Sequence, residues 1–114
     1  MKKLWLLLSL TVGASATLAE LARELAATPR MREGAAPAVR RYDAEHGTAF
    51  ADTLLAYLDA NSDVAAAASR LNVHPNTCRY RLARAQQICG LRLADSDERL
   101  LLWLQLRLGD ELGI

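Results

Sequence analysis

Metal ligands, phosphate loops and paired cysteines are scarce in this 114-residue chain, and each scarcity removes a class of function. There are two cysteines, Cys78 and Cys89. Both read onto one helix, where eleven residues at about 1.5 Å each place them roughly 16 Å apart. A disulfide needs Cα atoms within about 7 Å, so the pair gives no sign of an oxidising compartment. His46 and His74 stand apart from each other and from any Cys cluster, so no metal site is expected. No glycine-rich phosphate loop, no carboxylate pair in an apolar setting and no nucleophile beside a base can be read, so no cofactor, no small-molecule site and no enzyme activity are expected. Cys78, with His74 four residues earlier, is the nearest thing to a nucleophile and reads as a core residue. Aromatics make up 5% of the chain and the net charge is +1, so overall charge says nothing about a nucleic-acid partner and only local charge can. No apolar run reaches the roughly 20 residues that a membrane-spanning helix needs, and no membrane partner is expected.

What the chain has is leucine and alanine. Hydrophobic residues total 52%, enough for one modest core, and Ala and Leu favour helices where β-branched residues are few. The expected fold is all-α, a small helical bundle of five or six helices. In "TLAELARELAATP", Thr17 with Glu20 has the spacing of a capping box, Leu18, Leu21 and Leu25 mark one face, and Pro29 ends the helix. Residues 30–47 read as a connector with a short helix at Pro37–Glu45. Thr48 is the expected cap of the next helix, with Phe50, Leu54, Tyr57 and Leu58 inside. "DANSD" is a turn whose Ser62 or Asp63 caps a helix through "VAAAASRL". A helix over Pro75–Ile88 stops at Gly90, and Asp95 opens a last helix that ends at Gly109.

"AAAASRLNVHPNTCRYRLARA" then reads as two helices and a tight turn. Ala65–Ala68 leave room for a close neighbour, and Leu71 and Val73 are placed to fill the corner. Pro75 suits a first helical position and His74 the cap. This is a helix-turn-helix layout, in which the second helix enters the DNA major groove. At 100° per residue, Cys78, Leu82, Ala85 and Cys89 fall on one apolar stripe. Asn76, Tyr80, Ala83 and Gln87 fall opposite, flanked by Thr77 and Arg84 on one side and Arg79 on the other. Arg81 lies nearer the core edge, from which its long stem reaches outward. These are groups that read base edges and grip phosphates. Between Asp63 and Asp95 lie five arginines and no acidic residue, so the segment is basic in a neutral chain. The candidate DNA-binding residues are therefore His74, Asn76, Thr77, Arg79, Tyr80, Arg81, Arg84 and Gln87, with double-stranded DNA as partner.

The same residues carry a family likeness. "DVAAAASRLNVHPNTCRYRLARAQQICGLRLADSDERLLLWLQLRL" resembles the C-terminal helix-turn-helix domain of PucR/CdaR-type bacterial transcriptional regulators. The matching positions are Leu71, Val73, His74, Asn76, Thr77, Arg79, Tyr80, Arg81, Leu82, Gly90, Leu91, Leu93 and Asp95. The lead-in "YDAEHGTAFADTLLAYLDANSD" is similar too, so the resemblance covers roughly 42–108. It implies a sequence-specific DNA-binding regulator. The hairpin is also similar to that of the Fis nucleoid protein, whose matching Thr and Arg positions contact DNA. Cys78 departs from the family's usual Leu, Val or Phe but stays apolar. Such regulators usually carry sensory or GGDEF-like regions upstream. None can be read here, so a truncated relative, a fragment or a stand-alone module is expected. The chain divides into an N-terminal helical segment and connector, 1–41, and a PucR-type helix-turn-helix domain, 42–110.

Both ends complicate this reading. "MKKLWLLLSLTVGASA" fits a secretory signal: two lysines, a nine-residue apolar run and Ala14-Ser15-Ala16 as a cleavage site. The competing reading is a buried helix with Leu4, Leu7 and Leu8 in the core. A DNA reader acts in the cytoplasm, which is the location expected, with export or a scaffold role without DNA binding as the alternative. The last helix, "RLLLWLQLRL", is apolar nearly all round. Trp103 and Leu104 are therefore expected to form part of a homodimer contact.

Overall fold

A computed structural model describes residues 14, 16–109 and 113. The apolar run Leu4–Val12, its lysines and most of the signal-like stretch lie outside the described residues. Helix α1 covers 16–25. A 3₁₀ turn, Pro29–Arg32, leads to α2 (Ala35–His46), α3 (Phe50–Asp59), α4 (Val64–Leu71), α5 (Pro75–Cys89) and α6 (Ser96–Arg107). No strand occurs among the described residues. None of their helices is long and apolar enough to cross a membrane.

α3 is the hub, with α2, α4, α5 and α6 all packed against it. Its Phe50, Leu54 and Leu58 are buried as expected, joined by Ala51 and Thr53, while Tyr57 is half-buried at the edge. Around them the core takes in Val39 of α2, Ala67 and Ala68 of α4, Cys78, Leu82 and Ala85 of α5, and Leu102 and Leu106 of α6. A second, smaller cluster of Ala22, Met31 and Leu108 ties α1 and the 3₁₀ turn to the end of α6. Gln105, 1% exposed, secures that seam. Its amide nitrogen donates to the carbonyls of Met31 (3.2 Å) and Glu33 (2.7 Å), so the buried donors have partners.

Several expectations need correction. Thr17 does not cap α1, because residues 14 and 16 are already helical and alanines on both sides continue the helix. Its buried residue is Ala22, while Leu18 and Leu21 are 36% and 44% exposed; the small alanine sits where the 3₁₀ turn and α6 come closest. The connector over 30–47 contains a full helix, α2, three turns long, closed by Gly47 at φ 65°. Thr48 does not cap α3. Asp43 of α2 does, accepting from the backbone N–H groups of Phe50 and Ala51 (2.9 Å each) and from the Thr48 hydroxyl. A carboxylate at the positive helix end replaces the weaker hydroxyl. Tyr42 stacks between His46 and Phe50 beside this cap, with ring centroids 4.0 and 5.5 Å away. The boundary placed at 41/42 falls inside α2, whose Ala36 and Val39 belong to the main core. α6 ends at Arg107, two residues before Gly109.

Candidate nucleic-acid interface

The interface is built on α4, a turn and α5. Asp63 opens α4 by accepting from the Ala66 N–H at 3.1 Å. The fully buried Ala67 and Ala68 present almost no side chain, so α5 can pack closely against α4. α4 closes through Asn72, which sits in the left-handed region at φ 56°, a conformation asparagine tolerates better than most residues. The Val73 N–H reaches back to the Ala68 carbonyl (3.0 Å) and the Asn72 N–H to the Ser69 carbonyl (3.1 Å), the bond pattern of a Schellman closure. Asn72 was not singled out from sequence, although asparagine just past a helical run is itself a stop signal. Val73 packs on the core; Leu71, its expected partner in the corner, is half-buried outside that cluster.

The chain then enters α5 through His74 and Pro75. His74 is extended (ψ 145°), and its Nδ1 accepts from the Asn76 N–H at 3.0 Å. That role requires Nδ1 to be unprotonated and puts the ring proton of a neutral His74 on Nε2. His74 is thus a helix cap first, on an exposed side chain. Pro75 takes the first helical position, and Gly90 (φ 64°) ends the helix one residue later than expected.

The two faces of α5 separate as the 100° projection expects. Cys78 and Ala85 are fully buried, Leu82 is 6% exposed, and Cys89 is half-buried. Burial pushes the Cys78 thiol above its ordinary value, against the smaller lowering pulls of Arg81 and Arg79. Burial also raises the Cys89 thiol, helped by the nearby Asp43 carboxylate. A buried, protonated thiol is a poor nucleophile, which removes the Cys78–His74 pairing as a reactive site.

On the outer face His74, Asn76, Arg79, Tyr80, Ala83 and Gln87 are exposed, Tyr80 by 64%. Thr77, Arg81 and Arg84 are half-buried along its edges. Arg79 donates to the Asn76 side-chain oxygen (2.8 Å) and Arg84 to that of Gln87 (3.1 Å). Each guanidinium therefore spends one of five N–H donors on a neighbour one turn away and is held in place by it. The ion pairs among the described residues join Arg92 to Asp95 and Glu98, and Arg107 to Asp59; none involves an arginine of α5. Among the described residues, no carboxylate forms an ion pair with the arginines of this face.

All eight candidate DNA-binding residues thus gather on α5 or its cap. Trp103 and Leu104 lie elsewhere, on α6. They line a groove of about 560 Å³ with Leu18, Asp59, Arg70 and Leu100. The Trp103 indole N–H donates to Asp59 at 2.8 Å, and Leu104 packs on the Ala22–Met31–Leu108 cluster.

Comparison with known proteins agrees with this geometry. The family model for the PucR C-terminal helix-turn-helix domain matches residues 50–108. The DNA-binding transcriptional activator AdeR of Bacillus subtilis is 33% identical over 70 residues, which is 61% of this chain and 17% of AdeR. The carbohydrate diacid regulator of Escherichia coli is 41% identical over 59 residues, 52% of this chain and 15% of that protein. A protein of Haemophilus influenzae is 46% identical over 52 residues, 46% of this chain and 14% of its own length. The chain therefore spans less than a fifth of these relatives. No solved structure matches it.

Proposed function

The chain belongs to the PucR C-terminal helix-turn-helix family, and from that membership we propose that it binds double-stranded DNA sequence-specifically as a transcriptional regulator or its DNA-binding part. The observation that carries the reading is the outer face of α5. Exposed Asn76, Arg79 and Tyr80 and half-buried Thr77 and Arg84 form one patch, and among the described residues no carboxylate pairs with its arginines. The first turns of α5 enter the major groove, where Asn76 and Tyr80 meet base edges. Arg79, Arg81 and Arg84 meet the phosphate walls beside them. AdeR and the carbohydrate diacid regulator are both named as regulators, which favours this reading over a scaffold without DNA binding.

Selection of bound duplexes from a random DNA pool, followed by anisotropy titration at several salt concentrations, tests it. A recovered consensus with a steep salt dependence is the expected result. Weak binding that ignores sequence would remove the regulator reading.

A homodimer belongs to the same proposal. Two copies would bring two α5 helices to successive major grooves, about one helical turn apart. The surface that favours it is on α6, where Leu100 and Leu101 are 56% and 44% exposed. Half-buried Trp103 and Leu104 sit in the adjoining groove. The DNA-binding reading favours a cytoplasmic location. The intact mass of the chain from its own host tests that location: loss of Met1–Ala16 would mean export and would overturn it.

A further inference from the structure

Beside α5 runs a second hollow, about 440 Å³, whose walls come from three other parts of the fold. Arg79, Ala83 and Gln86 line it from α5, Ser62 from the α3–α4 turn, and Arg99 from α6; Tyr57 also lines it. We propose that this groove seats a backbone phosphate of the same duplex that α5 reads, which makes Arg99 and Ser62 DNA-contacting residues outside the hairpin. The inference rests on the DNA-binding reading above and extends it to α6.

Four features point to a phosphate. Among the described residues, the lining carries two guanidiniums and two hydroxyls and no carboxylate. Guanidinium forks match phosphate oxygens in shape as well as charge. The groove is also continuous with the reading face, since exposed Arg79 and Ala83 belong to both. A duplex whose base edges meet Asn76 and Tyr80 therefore lays a sugar–phosphate wall along this flank. Finally, the groove is held in shape before anything binds. Arg99 donates one N–H to the Leu93 carbonyl at 2.9 Å, which anchors the guanidinium and leaves it further donors. The Gln86 amide oxygen accepts from the Leu93 N–H at 3.1 Å and fastens the same loop to α5. Anchoring lowers the ordering cost of binding. Asp95, one turn before Arg99, feels its charge, but no ion pair among the described residues joins them.

The test is the salt dependence of binding by the full chain to a random-sequence DNA duplex, followed by anisotropy. Each neutralised phosphate contributes about 0.9 to the slope of log affinity against log salt. Arg99→Gln is expected to reduce the slope by about that amount, while Arg99→Lys, which keeps the charge, retains it. If wild type binds with a salt-dependent affinity and Arg99→Gln has the same slope, the groove is no phosphate seat and the α5 reading stands. If wild type fails to bind the duplex even at low salt, the DNA-binding reading itself falls and takes this inference with it. Broadening of the phosphorus NMR signal of inorganic phosphate by wild type but not by Arg99→Gln, with the DNA slope unchanged, would assign the groove to a free anion and overturn the duplex assignment. Circular dichroism reports whether Arg99→Gln folds. Should it not, Ser62→Gly removes a neutral donor at a position (φ 64°) that glycine accepts readily. It is expected to weaken binding severalfold with the slope intact, and unchanged affinity would overturn the assignment.

Discussion

Side chains only one or two positions apart on α5 have opposite fates, and their variants are expected to fail in different ways. Arg79 and Arg84 lie along the edges of the outer face, held by an amide one turn before and one turn after respectively. Arg79→Ala or Arg84→Ala is expected to weaken binding to all duplexes alike and to lower the salt slope by about 0.9. Asn76→Ala or Tyr80→Ala is expected instead to flatten the preference at one base position, by about 1–3 kcal/mol, with the slope intact. Competition titrations against single-base operator variants separate the two patterns, and a uniform loss from Asn76→Ala would place it on the backbone. Cys78, between these residues in sequence, points the other way. Its raised thiol value and full burial predict negligible alkylation of the folded protein at neutral pH and rapid alkylation in denaturant. Mass spectrometry after iodoacetamide treatment reads the difference, and prompt labelling of native Cys78 would contradict the burial.

Helix ends decide how the elements meet, and they also mark how far sequence alone could go. His74 with Pro75, Gly90 and Asp95 were legible, and Asp63 as one of two candidates with Ser62, because each acts within three residues of itself, at spacings that backbone geometry dictates. The hairpin and its outer face followed from those ends and from the helical period. Asp43 was not legible: it caps α3 from seven and eight residues away, across the Gly47 turn. Nor was Gln105, whose partners at Met31 and Glu33 lie more than seventy residues earlier. Ala22 was passed over for larger leucines because close approach of a third element selects for smallness, which no one-helix pattern reveals. These tertiary contacts carry measurable stability. Asp43→Ala leaves two N–H groups of α3 uncapped and is expected to cost about 1–2 kcal/mol in thermal or urea unfolding. At α6 the Asp95 carboxylate accepts from the Glu98 and Asp97 N–H groups at 3.0 Å each. Chiefly the Glu98 N–H, aided by that of Asp97 and the charges of Arg92 and Arg99, holds its carboxyl below the ordinary carboxylate value against some desolvation. A lowered folded value means that this stabilisation is complete above the unfolded value, about 3.9, and is lost as pH falls through the folded one. Asp95→Asn keeps a capping oxygen but cannot titrate. Its unfolding free energy is expected to fall less steeply with pH below about 4 than that of wild type, and parallel curves would show that Asp95 does not contribute.

At the scale of the whole molecule, burial of α6 is incomplete. Leu102, Gln105 and Leu106 face inward, and Leu108 closes the small cluster below them. Leu100 and Leu101 remain 56% and 44% exposed. Each exposed leucine forgoes only part of the about 1.5–3 kcal/mol that full burial of such a side chain contributes, because roughly half of its surface is already covered. A second copy placed two-fold symmetrically against this face covers both sets at once, because each copy offers the same patch. Sedimentation of the wild type is expected to show a concentration-dependent monomer–dimer equilibrium, and Leu100→Glu to shift it to monomer with little loss of folding stability, since the side chain is already exposed. The consequence for DNA then separates the two roles. A duplex carrying two half-sites one helical turn apart should bind wild type much more tightly than a single half-site, because the second α5 engages as part of the same molecule. Leu100→Glu should erase that advantage and leave single-half-site affinity unchanged, since the outer face of α5 is untouched. If the variant instead loses half-site affinity in proportion, α6 acts through the hairpin's own geometry. If wild type stays monomeric at the highest concentrations and gains nothing from a second half-site, each hairpin reads DNA on its own.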